Sequence, residues 1–176
     1  MINARNVLAI AAFGGLTLAA CSNSANSAGP PAGGAGGANE VVGVRQVSGI
    51  GPTLTNSAGR TLYMSDQEKN GKLICTSSEC NTIWTPLTLA SGQQPSGPAQ
   101  VSSKLATVTR PDGSKQVTLN GAPLYTFSFD HAAGQVNGNG FHDSFSGVHF
   151  TWHAATATGT AATATSAPTN NGGYHY

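Results

Sequence analysis

The sequence has little charge, with eight Lys and Arg residues against seven Asp and Glu residues in 176 positions. This scarcity excludes the basic surface with which nucleic-acid-binding proteins neutralise phosphates, and no polybasic run is available for anionic lipids. Long hydrophobic runs are also absent. The apolar run Val7 to Thr17 is well short of the ~20 residues that a membrane-spanning helix needs. We therefore expect no nucleic-acid partner and no membrane-spanning segment.

The N-terminus has the layout of an export signal. A polar start with one cation, Arg5, precedes the apolar run, which ends in Leu18-Ala19-Ala20-Cys21. These four residues resemble the lipobox of bacterial lipoproteins, in which the cysteine thiolate accepts a diacylglyceryl group. The resemblance implies a signal peptide at residues 1–20 and a lipid anchor on Cys21. An ordinary secretory signal with a chance cysteine is the alternative.

Lipidation implies a place in the cell envelope, either on the outer side of the cytoplasmic membrane or on the outer membrane. Residues 21–39 are uncharged Gly, Ala, Ser, Asn and Pro, a composition typical of a flexible tether. Residues 154–176 form an Ala- and Thr-rich, low-complexity tail without a sustained period. We expect both segments to be disordered. Residues 40–153 then form the folded domain.

Cysteine is scarce as well, with three residues in the chain. Lipidation of Cys21 would leave Cys75 and Cys80 as an even pair in an oxidising compartment, which favours a disulfide that closes a small loop. The alternative, a metal or redox pair, lacks the two-residue spacing and the neighbouring histidines of zinc sites.

Short runs rich in β-branched and aromatic residues alternate with turn signals in the folded part. The runs expected to form strands are Val42 with Val44, Thr53 to Asn56, Arg60 to Met64, Gln100 to Thr109, Lys115 to Leu119, Pro123 to Phe129 and Val148 to Trp152. Asn120-Gly121, between two such runs, is a strong hairpin signal. Ser78 to Trp84 could form one helical turn. These features predict a mainly β fold, as a single small antiparallel sheet or barrel-like domain.

Two segments of the folded part repeat each other. Gly59 to Tyr63 and Gly121 to Tyr125 share the pattern Gly-x-x-Leu-Tyr at an offset of 62 residues, and an aspartate, Asp66 or Asp130, follows each. The domain is therefore expected to contain two pseudo-repeats, which are too few for a solenoid.

The repeat units resemble those of the secreted-repeat lipoproteins of bacteria, a family of unknown function. The residues that carry this resemblance are Gly59-Arg60-Thr61-Leu62-Tyr63, Asp66, Cys75, Cys80 and Trp84-Thr85-Pro86-Leu87 in the first unit, and Gly121-Ala122-Pro123-Leu124-Tyr125-Thr126-Phe127, Asp130, Gly134, Gly138 and Gly140 in the second. The resemblance implies an envelope location and no established activity.

The repeated tyrosines and aspartates are candidate ligand contacts. Tyr63 and Tyr125 occupy equivalent places, but the favoured interpretation is that they are core residues whose hydroxyls form bonds near the surface. Asp66 and Asp130 could coordinate a cation, yet bonds that stabilise the following turns explain them more simply.

Histidines gather in the last part of the domain. Strand alternation turns Val148, Phe150 and Trp152 one way, and His149 and His153 the other. A metal or haem site could form there if His131 or His142 approached from a loop. A solvated face is the favoured interpretation, so we expect no cofactor.

The sequence contains no pattern typical of a catalytic site. It lacks Gly-x-Ser-x-Gly and Ser-x-x-Lys, and Asp143, Ser144 and His142 are neighbours that cannot face one another on a strand. We therefore expect no enzyme but a lipid-anchored binding or structural module, with the membrane and an envelope protein or cell-wall component as partners. The alternatives are a metal or haem carrier and a cell-wall hydrolase.

Overall fold

A computed structural model describes residues 40–163. The expected signal peptide, the lipidation site Cys21, the tether and the tail beyond residue 163 lie outside the described residues. No helix among residues 40–163 is long and apolar enough to cross a membrane.

The described chain is mainly β, as the sequence predicts. Its strands are β1 Val42–Val47, β2 Gly51–Asn56, β3 Leu62–Ser65, β4 Trp84–Pro86, β5 Leu105–Thr109, β6 Lys115–Leu119, β7 Ala122–Pro123, β8 Tyr125–Phe127, β9 Phe141–Phe145 and β10 Val148–Ala154. A 3₁₀ segment, Asp66–Gly71, and two short helices, α1 Ser78–Ile83 and α2 Ala99–Ser102, lie between them. Helix α1 confirms the helical turn expected at Ser78 to Trp84.

The strands form three antiparallel sheets where the sequence suggested a single one. Strands β1 and β2 pair, β5, β6 and β7 form a second sheet, and the largest has the order β4-β8-β3-β10-β9. No sheet of the described residues closes into a barrel. The hairpin at Asn120-Gly121 is present between β6 and β7, and both residues have positive φ, which glycine adopts without strain.

Three segments differ from the expectation. Strands β4 and β9 were not predicted, and residues 100–102, expected to be extended, belong to α2. The packed part of the chain also continues beyond His153, because β10 ends at Ala154 and residues 155–163 lie against the domain. Ala155 and Ala162 are buried there, and Thr156 bridges to Thr53 of β2.

The two repeats meet at the centre of the largest sheet. Strand β3 of the first repeat pairs antiparallel with β8 of the second, with Leu62 opposite Thr126 and Tyr63 opposite Tyr125. The repeated tyrosines are therefore direct cross-strand neighbours. The repeated leucines, Leu62 and Leu124, lie fully buried in a cluster that is otherwise mostly aliphatic.

The expected disulfide is present and joins Cys75 to Cys80. Both cysteines are buried. Ser77 caps helix α1 inside this loop, since its hydroxyl accepts a hydrogen bond from the Cys80 N–H at 3.2 Å. The bridge therefore closes a short, capped helical loop beside the aromatic core.

Candidate functional site

The most unusual group of side chains is a buried aromatic cluster inside the largest sheet. Trp84 of β4 and Trp152 of β10 stack with ring centroids 3.9 Å apart, although two strands separate β4 from β10 in the sheet. At ~4.8 Å per strand these backbones would be about 14 Å apart in a flat sheet. The two indole rings therefore meet across the two intervening strands. Phe127 and Phe150 extend the stack at its two ends.

Asp143 binds both indoles. It lies on the edge strand β9, opposite Phe150 of β10, and its two carboxylate oxygens accept hydrogen bonds from Trp84 Nε1 at 2.6 Å and from Trp152 Nε1 at 2.9 Å. Partial burial raises the pKa of the Asp143 carboxyl, while the two indole bonds lower it. One half-buried carboxylate thus holds both tryptophans of the protein.

Tyr63 donates its hydroxyl hydrogen to a second carboxylate. Its oxygen lies 2.5 Å from Asp130 Oδ2, and Asp130 Oδ1 accepts the backbone N–H of Asn137 at 3.0 Å. Burial first, and then the charge of Asp130, raises the pKa of the Tyr63 phenol. Burial also raises the pKa of Asp130, against the hydrogen bonds from Tyr63 and Asn137.

The chain approaches this pair closely at Gly138. Its N–H donates to the Tyr63 hydroxyl at 3.4 Å, and a Cβ atom there would lie 2.8 Å from the Trp84 ring and 2.9 Å from the Tyr63 ring. Only glycine fits this approach without displacing an aromatic ring.

Tyr125 has an equivalent partner in Glu68. The Tyr125 hydroxyl donates to Glu68 Oε1 at 3.1 Å, and the same oxygen accepts the backbone N–H groups of Ile74 at 2.6 Å and Cys75 at 2.7 Å. The Ser65 hydroxyl donates to Oε2 at 3.2 Å. Burial, followed by the charge of Glu68, raises the pKa of Tyr125.

The two tyrosines exchange partners between the repeats. Tyr63 of the first repeat binds Asp130, which follows the second, and Tyr125 of the second binds Glu68, which follows the first. The pairing of β3 with β8 places the two tyrosines opposite each other, and each binds the acid that follows the other repeat.

A buried cation lies beside Glu68 and the disulfide loop. Arg110 is 4% exposed and donates to the Cys75 carbonyl at 3.2 Å, to Asn81 Oδ1 at 3.0 Å and to Gln116 Oε1. Its charge acts on Tyr125 in the direction opposite to that of Glu68. The polar groups on this side of the core are thus bonded to one another.

The structure assigns different roles to the sequence-predicted ligand contacts. Tyr63, Tyr125 and Asp130 are at most 1% exposed, so they lie in the core. The expectation that the hydroxyls bond near the surface is wrong, because both bind buried carboxylates. Asp66 is exposed; it pairs with Lys69, three residues further along the same turn, at 3.0 Å and with His153 at 3.1 Å.

The histidines of the last hairpin point away from the aromatic core, as alternation predicts. Burial alternates along β10, where Phe150 and Trp152 are buried and His149 is exposed. His153 is more covered than expected, since its side chain is 17% exposed and Nε2 faces Asp66. His149 and His153 lie about 13 Å apart at ~3.3 Å per strand residue, too far to share one ion.

No group of three or more His, Cys, Asp or Glu side chains within residues 40–163 has a metal-binding arrangement. His142 Nδ1 faces the Thr151 hydroxyl at 3.2 Å, and His131 is an exposed loop residue. The predicted set therefore does not converge in the described chain.

A Ser–His contact that the sequence analysis missed lies on the same exposed face. Ser144 Oγ is 2.6 Å from His149 Nδ1, its cross-strand partner. In residues 40–163 no carboxylate forms a hydrogen bond with His149, and Asp143 faces the indoles on the other side of β9. The pair lacks the orienting acid of a catalytic triad.

Glu68 and Asp143 are the site residues that the sequence analysis missed. Glu68 lies in the polar run Asp-Gln-Glu-Lys-Asn-Gly, which has the composition of a solvated turn. Asp143 occupies an inward position of a strand, where a charge breaks the usual alternation. The second repeated tyrosine could have indicated Glu68, because each of two buried phenols needs its own hydrogen-bond acceptor.

A part of the described chain matches a known protein family. Residues 106–156, from the second strand residue of β5 to two residues beyond β10, match the family model of a secreted repeat of unknown function. This match indicates an extracellular or envelope location. No curated protein and no solved structure matches the chain.

Proposed function

We propose that this secreted-repeat protein is a lipid-anchored component of the cell envelope that acts as a non-catalytic binding or structural module. The lipid anchor is supported by the sequence Leu18-Ala19-Ala20-Cys21, which follows an apolar run. More than one acyl chain gives stable membrane attachment, whereas a single chain binds marginally. The match to a secreted repeat supports the same compartment.

The described side chains support a role without catalysis. The buried acids Asp130 and Glu68 bind tyrosines, and Asp143 binds indoles. These carboxylates are occupied by bonds that hold the core together. The Ser144–His149 pair is exposed and has no orienting acid in the described chain. The partner is an envelope protein or a cell-wall component at the outer surface of the domain.

The anchor is tested by Cys21→Ala. We expect the variant to remain unprocessed and to incorporate no labelled palmitate, because the thiolate is the acyl acceptor. Ser22→Ala is the matched control and should be labelled normally. Undiminished palmitate incorporation into Cys21→Ala would rule out the anchor.

The module is tested by cross-linking the natively anchored protein in intact cells and identifying its partner by mass spectrometry. We expect the same partner to be captured by the wild type, by Ser144→Ala and by His149→Ala, since neither side chain supports the core. A hydrolytic activity on cell-wall material that either substitution abolishes would contradict a non-catalytic role.

A further inference from the structure

Four oxidisable rings form a continuous chain through the aromatic core. Successive ring centroids are 5.5 Å apart from Tyr63 to Trp84, 3.9 Å from Trp84 to Trp152, and 5.2 Å from Trp152 to Tyr125. All four residues are fully buried. They comprise both tryptophans and two of the four tyrosines of the protein.

Every ring in this chain donates its hydrogen to a carboxylate. Tyr63 donates to Asp130, Tyr125 to Glu68, and both indoles to Asp143. Indole N–H groups are donors only, so both oxygens of Asp143 act as acceptors, as in an ionised carboxylate. Since the Tyr63 hydroxyl accepts the Gly138 N–H, its own hydrogen is directed to Asp130. Each phenol therefore directs its proton to a bonded carboxylate.

Packing alone does not require this arrangement. Phe127 and Phe150 occupy the same stack without any polar partner, so the core accommodates rings that have no hydrogen to donate. Burying a carboxylate carries a desolvation cost that an apolar core avoids. The chain retains three such groups, one beside each phenol and one shared by the indoles.

Carboxylate partners change the chemistry of one-electron oxidation. A phenol that loses an electron becomes a strong acid, and its proton can pass directly to a carboxylate within hydrogen-bond distance. The transfer leaves a neutral radical beside a neutral carboxylic acid, so no new charge is created in a medium of low dielectric constant. An oxidised indole can retain its N–H, because the adjacent negative charge stabilises the cation.

We propose that the aromatic chain Tyr63–Trp84–Trp152–Tyr125 accepts single oxidising equivalents from one-electron oxidants and stores them on its tyrosines. An electron leaves an indole for the oxidant, which is reduced by one electron. An electron from Tyr63 or Tyr125 then restores the indole, and the phenolic proton moves to the bonded carboxylate. The products are one tyrosyl radical, one carboxylic acid and one reduced oxidant.

The route to solvent passes beside Asp143. This residue is half-buried, lies on the edge strand β9 and is bonded to both indoles. The tyrosines lie at the two ends of the chain, and each is bonded to a carboxylate residue that is at most 1% exposed. An oxidising equivalent would therefore enter at the centre and move to the ends. This activity goes beyond the proposed module and does not depend on its partner.

The experiment uses the full chain carrying Tyr174→Phe and Tyr176→Phe, so that Tyr63 and Tyr125 are its only tyrosines. A laser flash with a quencher generates a ruthenium(III) tris-bipyridine oxidant, and transient absorption follows the radicals. We expect a tryptophan radical first and a tyrosyl radical as it decays. In D₂O the second step should slow, because a proton moves with the electron. Absence of a tyrosyl signal, or no isotope effect on its appearance, would overturn the proposal.

The matched variant adds Tyr63→Phe and Tyr125→Phe to this background. We expect complete loss of the tyrosyl signal and loss of the fast decay of the tryptophan radical. Near-ultraviolet circular dichroism checks that the aromatic core remains packed. Should this double variant fail to fold, the isotope effect in the parent chain decides the question alone. A tryptophan radical that decays equally fast in a folded double variant would show that the tyrosines do not receive the oxidising equivalent.

Discussion

Leu62→Ala and Leu124→Ala are each expected to lower the free energy of unfolding by about 2–5 kcal/mol, the usual cost of deleting a fully buried leucine side chain. Both leucines are 0% exposed and lie in one cluster, whose buried members are Val41, Val42, Leu54, Leu62, Met64, Val101, Val117, Leu119, Ala122, Leu124 and Ala155. Each substitution removes apolar contacts and leaves a cavity that the surrounding strands fill only in part. Urea denaturation measures the loss.

Leu73→Ala is the matched control for the repeated leucines. Leu73 is half-buried and belongs to neither core cluster, so its substitution should cost clearly less. Similar losses in the two repeat variants would indicate equivalent structural roles for the repeats. Unfolding of Leu62→Ala or Leu124→Ala at the wild-type denaturant midpoint would show that the corresponding leucine is not part of the core.

Glu68→Ala should destabilise the protein by a similar amount for a different reason. The substitution removes the acceptor of two backbone N–H groups, at Ile74 and Cys75, and of the Tyr125 and Ser65 hydroxyls. Each buried donor left without a partner costs ~1–3 kcal/mol, so we expect a loss on the order of 3 kcal/mol or more.

Glu79→Ala controls for the loss of a negative charge. Glu79 is an exposed carboxylate on helix α1, and substitutions at such positions usually change stability by no more than about 0.5 kcal/mol, or somewhat more near a helix N-terminus. Chemical denaturation measures the free energy of unfolding of both variants. If their m-values are equal, the difference between the two losses is the effect of the buried acceptor. A Glu68→Ala variant as stable as Glu79→Ala would mean that water replaces the lost carboxylate.

Much of the fold follows from local sequence features. The alternation of Val148, Phe150 and Trp152 predicts the orientation of the last strand, and Asn120-Gly121 predicts the hairpin between β6 and β7. The shared Gly-x-x-Leu-Tyr pattern predicts two related units. Each of these features depends on residues that are close together in the chain, so it can be recognised from the sequence alone.

The unpredicted parts depend on residues far apart in the chain. Strand β9 reads Phe-His-Asp-Ser-Phe, and its central aspartate is tolerated facing inward because indoles from β4 and β10 bind it. Glu68 has the sequence context of a turn residue, and its role depends on Tyr125, a distant residue whose hydroxyl donates to it. The Ala- and Thr-rich segment after His153 has no clear period, yet Ala155 and Ala162 fit into the core because they are small.

The central pairing of β3 with β8 also bears on when the domain can fold. The largest sheet needs β3 from the first repeat, β8 from the second and β10 near the end of the described chain. Contacts between distant segments form only after the entropy of closing the intervening loops has been lost, which makes such topologies slow to fold. On the proposed export route, a chain that emerges N-terminus first cannot complete this sheet until residue 154 has crossed. The protein would therefore remain unfolded during translocation and acquire its structure on the outside.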